Sequence, residues 1–294
     1  MAETHTRLAD CFDDWRNELL TATPPKRFAV GEDGPLAELD LRPGRVWVIG
    51  GHPGAGKTAF VMQLVVDALS LQKDVRAVVM NVEMEKEELL NRQLARITGI
   101  PLRVIQRREF NEQHRERLDF GFQALADIRS QLAFATRPFQ MNRLIQAADA
   151  VSAQIVVADY IQRIQLNDEP PADRRANIDA CMDHARAVAD CGLAVIVVAA
   201  LARQKGQNGS DYTNAGLASF RESSELEYGA DDAFIMATGK DPNNVTLQHV
   251  KSRHGARVDI PLVFDGSLQR FTPSDIAAAR GSDIMQNVVD LWES

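Results

Sequence analysis

Gly51-His52-Pro53-Gly54-Ala55-Gly56-Lys57-Thr58 meets the spacing G-x-x-x-x-G-K-[ST] at every fixed position. Glycines at 51, 54 and 56 keep Cβ atoms out of the way, so successive backbone N–H groups can turn toward one oxyanion. The amides of Gly51, Gly54, Ala55, Gly56, Lys57, Thr58 and Ala59 are therefore the expected phosphate cradle. A helix opening near Lys57 adds the positive end of its dipole. Lys57 has the reach for the outer phosphates, and the Thr58 hydroxyl suits Mg²⁺. The chemistry implied is the binding of a nucleoside triphosphate.

Such a loop works only between a strand and a helix. Val46-Trp47-Val48-Ile49 reads as a buried strand, and Ala59 to Val66 has helical apolar spacing, so the required order is present. Further apolar strands are read at 75–82, 154–159 and 194–198, separated by helical stretches that include 111–128, 141–151 and 171–190. Strands alternating with helices predict an α/β fold with a mostly parallel sheet, whose ligands sit at the carboxyl ends of the strands. Asp159 ends one of these strands and suits a water-mediated Mg²⁺ contact. Glu83 ends another; it is placed either to polarise an attacking water or simply to favour a helix N-terminus. The last third differs: strands at 233–236, 245–251 and 258–264, with turns at 241–244 and 254–255, predict antiparallel additions to the core. Lys251 and Arg253 alternate onto one face there, as a paired charge for phosphate or as a solvated edge.

Composition narrows the setting. The chain has 294 residues, 45% hydrophobic and 25% charged, ordinary for a globular protein. Its net charge of −8 argues against a surface that is basic throughout, though not against a narrow basic groove or pore. No apolar run approaches the roughly 20 residues that span a bilayer, and Met1-Ala2-Glu3-Thr4-His5 does not open a signal peptide. Cys11, Cys181 and Cys191 lack metal-ligand spacing and read as reduced, mostly buried thiols, so a cytoplasmic location is expected.

Ahead of the core, Leu8, Phe12, Trp15 and Leu19 line one face of a helix within residues 1–20. Docking on its own domain and docking on a neighbour fit this face equally well. Residues 21–41, with prolines at 24, 25 and 35, read as an extended connector. Residues 42–273 form the expected core domain, and 274–294 a helical tail interrupted at Gly281.

Taken together, Val82-Glu83-Met84, Ala158-Asp159-Tyr160-Ile161-Gln162, Phe220-Arg221-Glu222-Ser223 and Lys251-Ser252-Arg253-His254-Gly255 resemble the motifs of the DnaB-type replicative helicase motor domain, in order along most of the chain. That motor is a RecA-like P-loop ATPase assembled as a hexameric ring. The helical N-terminal domain of the full-length helicases has no evident counterpart here, and residues 6–20 match its linker helix. The resemblance implies ATP and Mg²⁺ as ligands, Glu83 as catalytic base, and Lys251 and Arg253 inserted into the neighbouring subunit's site. It places Arg92 near the adenine, and puts Arg203, Lys205, Arg221 and Glu222 on loops facing single-stranded DNA. It also implies a linker helix packed on the adjacent protomer, and leaves room for a loader or replication partner; no membrane partner is implied.

Two positions depart from the family pattern. Ala200 stands where the family has a glutamine that senses the γ-phosphate, and Ser224 where it has a glycine. The reading is a ring-forming ATPase that moves on single-stranded DNA and unwinds duplex. Its rivals are a RecA-like ATPase that controls assembly or partner loading, and a strand-exchange recombinase.

Overall fold

β1 (Val46–Gly51) lies inside a nine-stranded sheet, between β5 (Ala194–Ala200) and β8 (Asp232–Thr238), parallel to both. Beyond β5 come β4 (Ile155–Asp159), β2 (Ala77–Asn81) and β3 (Leu132–Phe134), all parallel. On the other side β9 (Asn244–Ser252), β10 (Ile260–Asp265) and β11 (Arg270–Pro273) add in antiparallel fashion. The fold is thus the expected α/β sheet with antiparallel additions. This computed structural model describes residues 6–22, 24–171, 173–201, 204–206, 209–211, 226, 228–239 and 241–274.

The pleat explains why the inner strands read as unbroken apolar runs: both faces are covered. Trp47, Ile49, Ile196 and Val198 face the layer that contains α3 (Lys57–Leu71), while Val46, Val48, Val195 and Val197 face α7 (Met141–Ala150) and α8 (Arg174–Asp190). A satellite layer joins α4 (Lys86–Thr98), α5 (Leu102–Arg107) and α6 (Glu112–Asp127) through Leu94, Ala95, Ile100 and Ile105.

Several expectations need correction. The connector is not merely extended: Phe28 and Val30 are fully buried, Phe28 bridges Leu41, and a short helix, α2 (Gly34–Ala37), buries Leu36. Its apolar residues sit at irregular spacing among prolines and glycines, which hides core character from periodicity. The polar loop after β5 contains a small hairpin, β6 (Gln204–Gly206) with β7 (Gly209–Asp211). Of the three thiols Cys181 is buried, its pKa pushed up to about 12 by that burial, but Cys11 is half-buried and Cys191 exposed. The tail 275–294 lies outside the described residues.

The first helix, α1 (Leu8–Thr21), buries none of its residues. Leu8, Trp15 and Leu19 remain 70%, 54% and 69% exposed, so its apolar face is not spent on its own domain.

α6 crosses α4 closely at Gly121, where an added Cβ would meet Thr98 Cγ2 and lie 2.7 Å from Leu94 Cδ1. Gly121→Val should cost about 1–3 kcal/mol through overpacking, read as a lowered urea midpoint. An unchanged midpoint would show that the crossing has slack.

Candidate nucleotide-binding site

The glycine-rich loop leaves the carboxyl end of β1 and enters α3 at Lys57. Gly56 is held at φ +81°, and a Cβ there would lie 2.7 Å from Phe271 Cζ, so glycine is required by conformation and by space. Lys57 Nζ folds back to donate to the carbonyls of Gly51 at 2.9 Å and His52 at 3.0 Å. Thr58 Oγ1 donates to Asp159 Oδ2 at 2.7 Å, joining the helix start to the end of β4. Asn81, at the end of β2 and paired in register with Asp159, donates to the same oxygen at 2.7 Å. The Asn81 side-chain oxygen, Oδ1, accepts the backbone N–H groups of Glu83 at 3.0 Å and Met84 at 2.7 Å.

Electrostatics follow from burial. Asp159 is 5% exposed, and desolvation pushes its carboxyl up to about 6 against the opposing pull of Thr58, Lys57 and Asn81. Desolvation likewise lowers the Lys57 ammonium, partly offset by Asp159 and Glu83. A desolvated carboxylate facing a hydroxyl, next to a phosphate loop, is the donor set a hard divalent ion takes through oxygen and water. Thr58 and Asp159 therefore fit Mg²⁺.

These groups open on a cavity of about 400 Å³, which Lys57, Thr58, Ala59, Glu83 and Asp159 line together. Gly51 and Ala55 do not line it; the first ends β1 and offers its carbonyl to Lys57, the second is 1% exposed. Arg92 also lines it, donating to Gln269 Oε1 at 2.8 Å and to Glu88 Oε1 at 3.1 Å. Phe264 and Gln269 complete that side, and neither was singled out by spacing. Ala200 lines the cavity as well, and both its backbone groups are taken by Gln162: Nε2 donates to its carbonyl at 2.9 Å, and Oε1 accepts its N–H at 3.1 Å. A larger cavity of about 650 Å³, reached by Trp47 and His254, lies toward the other end of β1 and has no phosphate loop.

Lys251 and Arg253 are not brought to this cavity. Ser252 pairs with Asp232, which pairs with Trp47, so the basic turn lies at the amino end of β1. The length of that strand, on the order of 17 Å, separates it from the loop. There Lys251 Nζ donates to the Ala230 carbonyl at 2.7 Å, and Arg253 Nη1 lies 3.4 Å from Asp231 Oδ1. Lys251 Nζ and Arg253 Nη2 both donate to the Tyr228 carbonyl, so the two cations are brought together although Arg253 lies just beyond β9. Arg203, Arg221, Glu222, Ser224 and the Lys205 side chain lie outside the described residues.

Comparison with known proteins adds a family. Residues 38–273 match the DnaB-like helicase C terminal domain. A probable plasmid replicative DNA helicase of Chlamydia trachomatis is 21% identical over 268 residues, covering 89% of this chain and 57% of the relative. The chain thus spans little more than half the length of the curated relatives it matches. Among solved structures, an ATPase domain superposes with a TM-score of 0.76 at 20% identity, over 91% of this chain and 99% of that one. A DnaB-like replicative helicase, determined with its interactions with primase, gives 0.76 at 19% identity, over 92% and 67%. The family match covers most of the chain and the superpositions repeat the fold just described: this protein belongs to the family of DnaB-like helicase C-terminal domains.

Proposed function

We propose that the chain is the motor of a ring-forming, ATP-driven helicase that translocates on single-stranded DNA and separates duplex. The observation that carries this reading is the division of charge across the sheet. The loop, Asp159 and Glu83 stand at the carboxyl end of the strands, and Lys251 and Arg253 at the amino end. A copy of this chain cannot bring its own Arg253 to its own phosphates, so a second copy is the natural recipient. Head-to-tail contacts of that kind close into rings, and the family membership favours six subunits. The exposed apolar face of α1 gives each copy a further means of gripping the next.

In this mechanism the loop amides and Lys57 hold the β- and γ-phosphates. Thr58 and Asp159 would hold Mg²⁺, which would neutralise phosphate charge. Glu83 takes a proton from the attacking water. Lys251 and Arg253 of the next subunit offset charge developing on the γ-phosphate, the step for which an arginine is best suited. Arg92, with Gln269 and Phe264, borders the place left for the adenine ring. Arg203, Lys205, Arg221 and Glu222 are assigned to the pore by family resemblance, where contacts to the strand's phosphates would supply grip.

Ala200 favours a second reading, a RecA-like ATPase that controls assembly or loading without unwinding. Its methyl has no hydrogen-bonding capacity, and its backbone is already engaged by Gln162.

Unwinding of a forked DNA duplex that requires ATP and Mg²⁺ is the expected outcome; ATPase activity indifferent to DNA, with no strand displacement, would select the loading ATPase instead. Lys57→Ala should weaken binding of a fluorescent ATP analogue about 10- to 100-fold, and a change under about threefold would remove Lys57 from the phosphate site. Glu83→Gln should bind the analogue as the parent does while turnover falls about 100-fold or more. Turnover at the parental rate would exclude Glu83 as the base.

A further inference from the structure

Asn81 is 6% exposed, and its side-chain hydrogen bonds to Asp159, Glu83 and Met84 run between parts of the nucleotide site. Its amide orientation is fixed by its partners, since one side meets two N–H donors and the other a carboxylate. The acceptor side makes an Asx-type turn over Glu83 and Met84. The donor side reaches Asp159 Oδ2, the oxygen that Thr58 also uses. A planar amide is rigid, so the backbone that carries Glu83 and the carboxylate at the end of β4 are held at one separation.

We propose that Asn81 is a positioning residue for hydrolysis, setting the distance between the general base on Glu83 and the carboxylate of Asp159. The proposal rests on the reading of the site as a hydrolytic one. It assigns to Asn81 a share in turnover and little share in holding nucleotide, because the amide does not line the cavity and its donor is already spent on Asp159.

The test uses the full chain and two substitutions. Asn81→Ala removes both sides of the bridge. Asn81→Asp keeps the acceptor for the Glu83 and Met84 amides but replaces the donor with a second carboxylate facing Asp159. Three quantities are read: kcat and KM for ATP, the dissociation constant of a fluorescent ATP analogue in EDTA, and the melting temperature. Both variants should fold and bind the metal-free analogue within about fivefold of the parent, while kcat falls about 30- to 100-fold. Parental kcat in Asn81→Asp would reduce Asn81 to a turn-forming residue and overturn the bridge. Loss of nucleotide binding in proportion to kcat would overturn it too, as would failure of both variants to fold. If the unsubstituted chain turns over no ATP, the hydrolytic reading itself fails, and the role given to Asn81 fails with it. Parental turnover beside an unimpaired Asn81→Asp sinks the bridge alone.

Discussion

A parallel sheet has a direction, and the chemistry of this protein depends on it. Every loop that leaves a parallel strand at its carboxyl end opens on one edge, where backbone N–H groups and helix N-termini favour anions. The glycine-rich loop, Asp159 and the turn after β2 all leave at that edge. β9 runs the other way, so its final residues emerge at the opposite edge. Sheet polarity alone therefore parts the basic pair from the phosphate loop. Under the proposed mechanism a second molecule would reunite them, and assembly would then be a condition of catalysis instead of an addition to it.

At the phosphate edge the governing effect is desolvation. Asp159 is buried among Thr58, Asn81 and the core, and its carboxyl is held well above the usual carboxylate range. Lys57 is pushed the other way by the same burial. Neither shift favours the charges that a hydrolytic site needs, and the molecule meets this by hydrogen bonding: two donors converge on one Asp159 oxygen, and two carbonyls hold the ammonium. In the proposed mechanism, phosphates at Lys57 and a divalent metal at Asp159 would add opposite charge to what each group already gives the other.

The parts of this arrangement differ in how far they can be read from residue order. β1, β2, β4 and β5 are legible because strands buried on both faces leave unbroken apolar runs, and the loop because its spacing is tied to its task. β11 escapes because Arg270-Phe271-Thr272-Pro273 is short, lies at the sheet edge and has one buried side chain, Phe271. The connector escapes because Phe28, Val30, Leu36, Leu39 and Leu41 follow no period, although all are buried. Asn81 sits inside a run correctly read as strand, yet its meaning depends on β2 lying next to β4, a neighbour 78 positions away. A polar side chain closing an apolar strand two residues before Glu83 is the signal that marks it. Gln162 and Gln269 have no such local mark; Ala200 and Arg92 become their partners only through the fold. The roles proposed for Lys251 and Arg253 come from family resemblance; the sheet adds that both lie at the opposite edge from the phosphate loop of their own chain.

If one copy's basic turn completes another copy's site, mixing subunits shows it most directly. Arg253→Ala subunits retain a whole phosphate pocket but offer no arginine; Glu83→Gln subunits offer the arginine but lack the base. ATP turnover is measured for each alone and for an equal mixture reassembled together. Each variant alone should be close to inactive, and random mixing should restore about a quarter of the interfaces, since half the pockets meet half the donors. A mixture as inactive as its components, or Arg253→Ala hydrolysing ATP at the parental rate as a monomer, would contradict the account.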